Sequence, residues 1–275
     1  MYMKLKDGKS KVLTLSYDDG VVQDIRLIEI LDKHGIKATF NINTGLYLAE
    51  DAHREVYYGR MKLSEAQKLY ADSNHEVAVH ALTHPFLEKI KPEEVLTEVL
   101  EDRKNIEAQY GVIARGMAYP YGTYSDEVID LISKCGIVYS RTTKSTLSFK
   151  FPDNWLALHP TCHHREASLM DLAKRFRDET SRYSSDNWMF YLWGHSYEFD
   201  NNDNWDVIEE FAEYIGGRDD IWYATNIEVY DYVKAYESLE TSVDKKTVHN
   251  PTSTDVWFIQ DNKTYCVKAG ETIRI

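Results

Sequence analysis

Short β-prone runs alternate with helical stretches through most of this chain, and that alternation limits the possible folds more than any other feature. The run Val12-Leu13-Thr14-Leu15-Ser16-Tyr17 is followed by helical periodicity over about 23–34, which Gly35 stops. Further strands are predicted over 36–43, 76–79, 112–119, 137–141, 188–193 and 221–224, with helices between them. Pro92, Glu93 and Glu94 suit the first turn of a long helix whose Val95, Val99 and Ile106 share one face. Strands joined by crossover helices run parallel, because each helix returns the chain to the same end of the sheet. About seven such strands predict an α/β chain over 1–239 with a mostly parallel sheet, open or closed as a barrel, and their number favours the barrel. From Glu240 the pattern changes: Val256-Trp257-Phe258-Ile259, a polar Asp261-Asn262-Lys263 turn and Thr264-Tyr265-Cys266-Val267 predict a small C-terminal β appendage over 240–275.

Composition narrows the function classes. The 275 residues carry 45 acidic and 32 basic side chains, a formal charge of −13, which disfavours nucleic acid and anionic membranes as partners. The three cysteines, Cys135, Cys162 and Cys266, form no Cys-x-x-Cys pair, so neither a disulfide framework nor a thiolate metal site is expected. The sequence shows no apolar run of membrane-spanning length and no leader-like start, so a cytoplasmic chain is expected. An oligomer is compatible with all of this.

Four motifs carry chemistry, and each falls where a strand should end, the place where side chains converge in parallel βα folds. Ser16-Tyr17-Asp18-Asp19-Gly20 sets two carboxylates side by side, suited to a metal and a proton acceptor or to an ordinary Asp-Asp-Gly turn. His80-Ala81-Leu82-Thr83-His84-Pro85 spaces two imidazoles so that they can face one ion, though two solvated loop histidines would read the same. Two imidazoles and a carboxylate suit Zn²⁺ first, with Co²⁺, Ni²⁺ or Mn²⁺ as alternatives. Pro120-Tyr121-Gly122 is either a plain strand-to-helix turn or a turn that aims a backbone N–H at a developing oxyanion. Leu192-Trp193-Gly194-His195 offers either a structural histidine or a proton donor between apolar walls.

In this order the motifs resemble the polysaccharide deacetylase family, the metal-dependent carbohydrate esterases of family 4, over about 10–235, and the resemblance implies a distorted (β/α) barrel. The Asn74-His75-Glu76 sequence ahead of His80 to Pro85 is the most specific part of the likeness. The resemblance implies Asp18 as catalytic base, Asp19, His80 and His84 as ligands of one divalent metal ion, Tyr121 N–H as oxyanion donor and His195 as general acid. It also implies an N-acetylated saccharide as substrate. Tyr17, Pro120, Leu192, Trp193, Glu198 and His163 are the candidate substrate-binding residues, and Glu198 could also replace a missing orienting carboxylate. Two departures stand out: Ala118 occupies the position of the family's third-motif arginine, and its fourth-motif Asp and Trp have no counterpart. Arg141, at the end of a neighbouring strand, is the candidate to supply the missing cation, unless it is a surface arginine. The alternatives are hydrolysis of another small linear or cyclic amide, and a metal- or carbohydrate-binding module without turnover.

Overall fold

Every residue of the strand Lys11–Asp18 is buried, although polar and apolar side chains alternate along it. Alternate residues of a strand face opposite sides, so both sides of this one must be covered. A computed structural model, which describes residues 1–53, 59–71, 73–181, 183 and 185–275, shows how. After β1 (Tyr2–Lys4), eight strands form one parallel sheet. They are β2 (Lys11–Asp18), β3 (Ala38–Ile42), β4 (Glu76–Val79), β5 (Gly116–Ala118), β6 (Tyr139–Arg141), β7 (Cys162–His163), β8 (Trp188–Gly194) and β9 (Ile221–Tyr223). The spatial order is β6-β5-β4-β3-β2-β8-β7. β8 runs along one edge of β2, while β3 and β9 share the other, pairing with its upper and lower halves. Residues 158–164 stitch the two ends of the sheet together: Leu158 N–H donates to Ser140 C=O and Thr142 N–H to Leu158 C=O, each at 2.9 Å, and Thr161 N–H donates to Tyr191 C=O at 2.8 Å. The result is the expected distorted barrel.

Leu13, Leu15 and Tyr17 face outward into an apolar layer with Leu27, Ile28 and Leu31 of α1 (Asp24–Lys33). The remaining helices are α2 (Leu63–Tyr70), α3 (Pro92–Tyr110), α4 (Asp126–Lys134), α5 (Leu169–Asp178), α6 (Tyr197–Asn201), α7 (Asp206–Ile215) and α8 (Asn226–Glu237). None of the described helices is long and apolar enough to cross a membrane. Thr14 and Ser16 face inward, where the barrel is polar and internally paired. Thr14 Oγ1 donates to Asn226 Oδ1 at 2.7 Å, Asn226 Nδ2 donates to Tyr191 OH at 2.7 Å, and that hydroxyl lies 2.9 Å from Ser16 Oγ. Beside them Glu76 accepts from Thr39 Oγ1 (2.8 Å), Tyr139 OH (2.7 Å) and Ile227 N–H (3.0 Å). This floor closes the barrel below the site, because each buried polar atom needs a partner once water is excluded.

Two expectations change. Residues 160–164, which fall in none of the predicted strands, contain β7; a two-residue strand with adjacent histidines carries no legible alternation. The strand expected over 112–119 shortens to β5, and Val112 and Ile113 are exposed at 43% and 74%. At the C-terminus, β12 (Val256–Gln260) and β13 (Lys263–Val267) form a hairpin whose turn residues, Asp261 and Asn262, have φ of 50° and 61°, as a type I′ turn requires. β1 pairs with the free edge of β12, so this sheet takes a strand from the opposite end of the chain. β10 (Glu240–Thr241), β11 (Thr247–His249) and β14 (Thr272–Arg274) form a second three-stranded sheet.

Burial pushes the Glu76 carboxyl up to about 7, against the three hydrogen bonds that favour its ionised form. A group whose folded pKa exceeds its unfolded value contributes stability in full below the unfolded pKa, and loses it as pH rises through the folded one. For Glu76 the window is roughly pH 4.5 to 7, with a magnitude of about 3 kcal/mol. The melting temperature of Glu76→Gln relative to the wild type should therefore rise across that window; a difference that stays flat from pH 4 to 8 refutes the assignment.

Candidate active site

The inward face of β2 ends in Asp18, and the chain then turns through Asp19 at φ 86° and Gly20 at φ 63°. Asp18 is 2% exposed, and its Oδ1 accepts from Asn41 Nδ2 at 2.8 Å. Its Oδ2 is paired with the guanidinium of Arg141. Arg141 is 1% exposed and lies over the Trp193 ring, 4.2 Å from its centroid. In the β5–β6 register Arg141 stands directly opposite Ala118, so the two side chains leave the sheet on the same face. An arginine one strand over thus delivers its charge where residue 118 cannot.

At the end of β4, His80 Nδ1 lies 2.8 Å from Ala118 C=O. The Nδ1–H donates there, which leaves the Nε2 lone pair facing the cavity, 3.8 Å from Asp18 Oδ2. Ala81 and His84 have φ of 61° and 59°, a left-handed backbone that turns the His84 ring back to within 4.7 Å of His80. His84 Nε2 lies 4.0 Å from Asp19 Oδ1. One ligand atom from each of Asp19, His80 and His84 falls within 4.8 Å of the others. Across the cavity His195 Nε2 lies 3.9 Å from Asp18 Oδ2 and 4.0 Å from Asp19 Oδ2. Tyr121, at φ 59°, packs edge-on against His84 at 4.5 Å, and Gly122 follows at φ 74° where any side chain would strike Thr143. These groups line one cavity of about 540 Å³, joined by Trp193, Arg60 and Tyr197.

Burial by itself raises the Asp18 carboxyl, but Arg141, with His80, His195 and Asn41, outweighs it and holds the group down at about 2. Asp18 is therefore a carboxylate throughout the neutral range. Burial lowers both His80 and His84, the latter to about 4, so both rings are neutral, the form in which imidazole ligates a metal. His195 is shifted upward: burial opposes its charge, but Glu198, Asp18 and Asp19 together outweigh that.

Several expected substrate contacts do not reach the cavity. Tyr17 and Leu192 occupy outward-facing positions of β2 and β8 and are fully buried under the helices. Pro120 is buried beneath the Tyr121 turn. Glu198 and His163 face each other, at 3.1 Å, behind His195. Trp193, on the inward face of β8, does line the cavity.

Sequence reading missed three supporting groups. Arg60 Nη2 bonds Asp19 Oδ1 at 3.0 Å and its Nη1 bonds Asn43 Oδ1 at 2.9 Å. Asn43 Nδ2 in turn donates to the carbonyls of His80 (2.6 Å) and Ala81 (2.7 Å). Asp102 accepts from His80 N–H (3.0 Å), Thr44 N–H (2.8 Å) and Thr44 Oγ1 (2.7 Å). Only Asp102 left a signal: it sits on the same helical stripe as Val95, Val99 and Ile106, where a carboxylate is out of place.

A polar-floored parallel barrel thus gathers an arginine-held carboxylate, a histidine-rich donor set and a further histidine around one cavity. The polysaccharide deacetylase family model matches residues 5–140. A chitooligosaccharide deacetylase of Rhizobium leguminosarum bv. phaseoli is 33% identical over 120 residues, covering 42% of this chain and 47% of that protein. The peptidoglycan-N-acetylglucosamine deacetylase PgdA of Listeria monocytogenes is 26% identical over 141 residues, 50% of this chain and 28% of that one. The chain spans about half the length of the first two chitooligosaccharide deacetylases it matches. In fold it is similar to the family 4 carbohydrate esterase of Streptomyces lividans, solved with acetate, at TM-score 0.50 and 15% identity over 75% of this chain and 88% of that one. A Mycobacterium smegmatis structure described as a polysaccharide deacetylase reaches TM-score 0.58 at 17% identity, over 86% and 94%. Over residues 5–140, just under half of its length, this chain matches the polysaccharide deacetylase family.

Removing one member of the buried Asp18–Arg141 pair strands the other's charge, at a cost of about 3 kcal/mol or more. Arg141→Met should cost that much in urea denaturation, and Asp18→Asn in the same chain should restore at least about 1 kcal/mol. Effects that simply add would mean that the two groups are not coupled.

Proposed function

We propose that the chain hydrolyses the acetamido group of an N-acetylated saccharide, releasing acetate and the free amine. The observation that carries this reading is a carboxylate held ionised by Arg141 at the edge of a cavity that also holds the Asp19, His80 and His84 donors and, opposite them, His195. The donor set fits a divalent cation: one carboxylate and two neutral imidazoles, with His80 turned by its bond to Ala118 so that Nε2 is the ligating atom. Zn²⁺ is the favoured ion, with Co²⁺, Ni²⁺ and Mn²⁺ as alternatives. Such a cation, when bound, polarises the amide carbonyl and acidifies the attacking water, which a base as weak as Asp18 requires.

The chain's own groups divide the remaining work. Asp18 Oδ2 accepts the proton that water loses as its oxygen adds to the carbonyl carbon. Arg141 keeps that carboxylate ionised and in place. The Tyr121 N–H, presented by a left-handed turn, donates to the oxyanion of the tetrahedral adduct. His195 Nε2, facing both aspartates, delivers a proton to the amine nitrogen as the C–N bond breaks. Trp193 walls the cavity with Tyr121 and Tyr197, surfaces on which a pyranose can stack. None of these groups comes from residues 240–275, which we read as a structural appendage.

The test is a substrate panel of chitooligosaccharides, N-acetylated peptidoglycan fragments and small linear and cyclic amides, offered to Zn²⁺- or Co²⁺-loaded protein. Acetate release from the saccharides is expected. Turnover of the small amides alone would transfer the same chemistry to another substrate, and turnover of nothing would leave a binding module. Asp18→Asn should lose at least about 10²-fold in kcat with its metal content unchanged; a rate near wild type would remove Asp18 as the base. His80→Ala should lose the metal bound at this site, and full occupancy there by elemental analysis would refute the ligand set.

A further inference from the structure

Behind His195 lies a second group of donors that the proposed chemistry leaves unused. His163 ends β7, His164 follows it, and Glu198 lies in the first turn of α6. The Nε2 atoms of both histidines lie 3.1 Å from one and the same atom, Glu198 Oε2. His164 is 1% exposed, its ring stacked on Phe199 at 4.2 Å. Its other edge rests on the backbone of Gly194, where a Cβ would come within 2.0 Å of Nδ1. The ring is therefore held in one orientation from both sides.

Distances of 3.1 Å would suit N–H···O hydrogen bonds, yet His164 Nε2 and Glu198 Oε2 are buried with no hydrogen-bond partner. The His164 N–H direction does not meet the oxygen. Atoms that crowd together without pointing at one another are what ligands of a common centre look like. A tetrahedral Zn²⁺ with bonds of about 2.0–2.1 Å spaces its ligands about 3.3 Å apart, close to the separations seen here. One ligand atom from each of His163, His164 and Glu198 falls within 4.8 Å of the others. Arg165 approaches Glu198 through the other oxygen, Oε1, at 3.4 Å, which leaves Oε2 for the centre.

We propose that His163, His164 and Glu198 form a second divalent-cation site of Zn²⁺ type, separate from Asp19, His80 and His84. His195 stands between the two, its Nε2 4.0 Å from Asp19 Oδ2 and its Nδ1 3.7 Å from Glu198 Oε2. A cation at the second site ties β7 to α6 directly behind the ring proposed to protonate the leaving group. Ligation asks one change of the chain: His163 Nδ1 now accepts the Arg165 N–H at 3.1 Å, and it must carry the ring proton when Nε2 binds metal. Arg165 is exposed, so its amide can bond water instead.

The experiment counts metal. Chelator-stripped protein is titrated with Zn²⁺, and separately with Co²⁺, by calorimetry, and bound metal is measured by elemental analysis after gel filtration. The wild type should hold two equivalents, Glu198→Gln one, His84→Gln one, and the double variant none. His163→Gln, which changes a partly exposed side chain, should lose the same equivalent and serves if Glu198→Gln does not fold. One equivalent in the wild type that Glu198→Gln retains would overturn the second site. One equivalent that is lost in Glu198→Gln but kept in His84→Gln would support this site and count against the Asp19, His80 and His84 set.

Discussion

The inward face of β2 has to be polar and has to be paired, and the rest of the barrel is organised around that requirement. Thr14 and Ser16 point into a space from which solvent is excluded and Asp18 to the edge of the cavity, and each meets a partner: Asn226 for Thr14, Tyr191 for Ser16, Asn41 and Arg141 for Asp18. The partners come from α8, β8, β3 and β6, so satisfying one strand draws in much of the barrel. An unpaired buried carboxylate would be far more costly than an unpaired hydroxyl, which makes the Asp18–Arg141 pair the most demanding member of the column. The floor of neutral groups and Glu76 beneath it closes the barrel, and the charged rim above it is left facing the cavity.

Strain is concentrated at that rim. Asp19, Ala81, His84 and Tyr121 are all non-glycine residues with φ between 59° and 86°. A left-handed backbone at such residues costs on the order of 1–3 kcal/mol each, and persists only where surrounding bonds over-determine it. Those bonds are visible: Arg60 on Asp19, Asn43 and Asp102 on the His80 loop, and Phe86 stacked at 3.8 Å on Tyr121. The arrangement fixes the atoms proposed as ligands and donors, so that little ordering would remain to be done on binding.

His195 links the chemistry of the cavity to the histidine cluster behind it. Burial raises the Glu198 carboxyl, but His163, His164 and His195 outweigh it and hold the group well below the usual carboxylate range. Its negative charge, with those of Asp18 and Asp19, favours a proton on His195 despite the ring's burial. A fixed anion on each side of an imidazole constrains its orientation as well as its charge. In this chain Glu198, one helical turn after His195, lies where that anion is needed, although no separate carboxylate motif was legible in the sequence.

Much of the architecture was legible because it follows from local periodicity: parallel strands from their spacing by helices, the hairpin from Asp261-Asn262, and the motif positions from strand ends. Asp18, Asp19, His80, His84 and His195 could be picked out because each lies within a short local pattern. The placement of Arg141 beside Asp18 depends on the register between β5 and β6, 123 residues from Asp18 along the chain. Only the tertiary structure decides which side of an alternating strand is inside. From Leu13 to Asp18 of β2 the polar residues face the barrel interior and the apolar ones the helices, whereas alternation in sequence usually reads as the polar face turned to water. That facing is why Tyr17 and Leu192 lie in the core instead of the site, whereas Arg60, Asn43 and Asp102 reach the site from a loop, a strand end and a helix without any motif. A side chain's partners across a closed barrel are set by register and closure, and neither is encoded in the order of neighbouring residues.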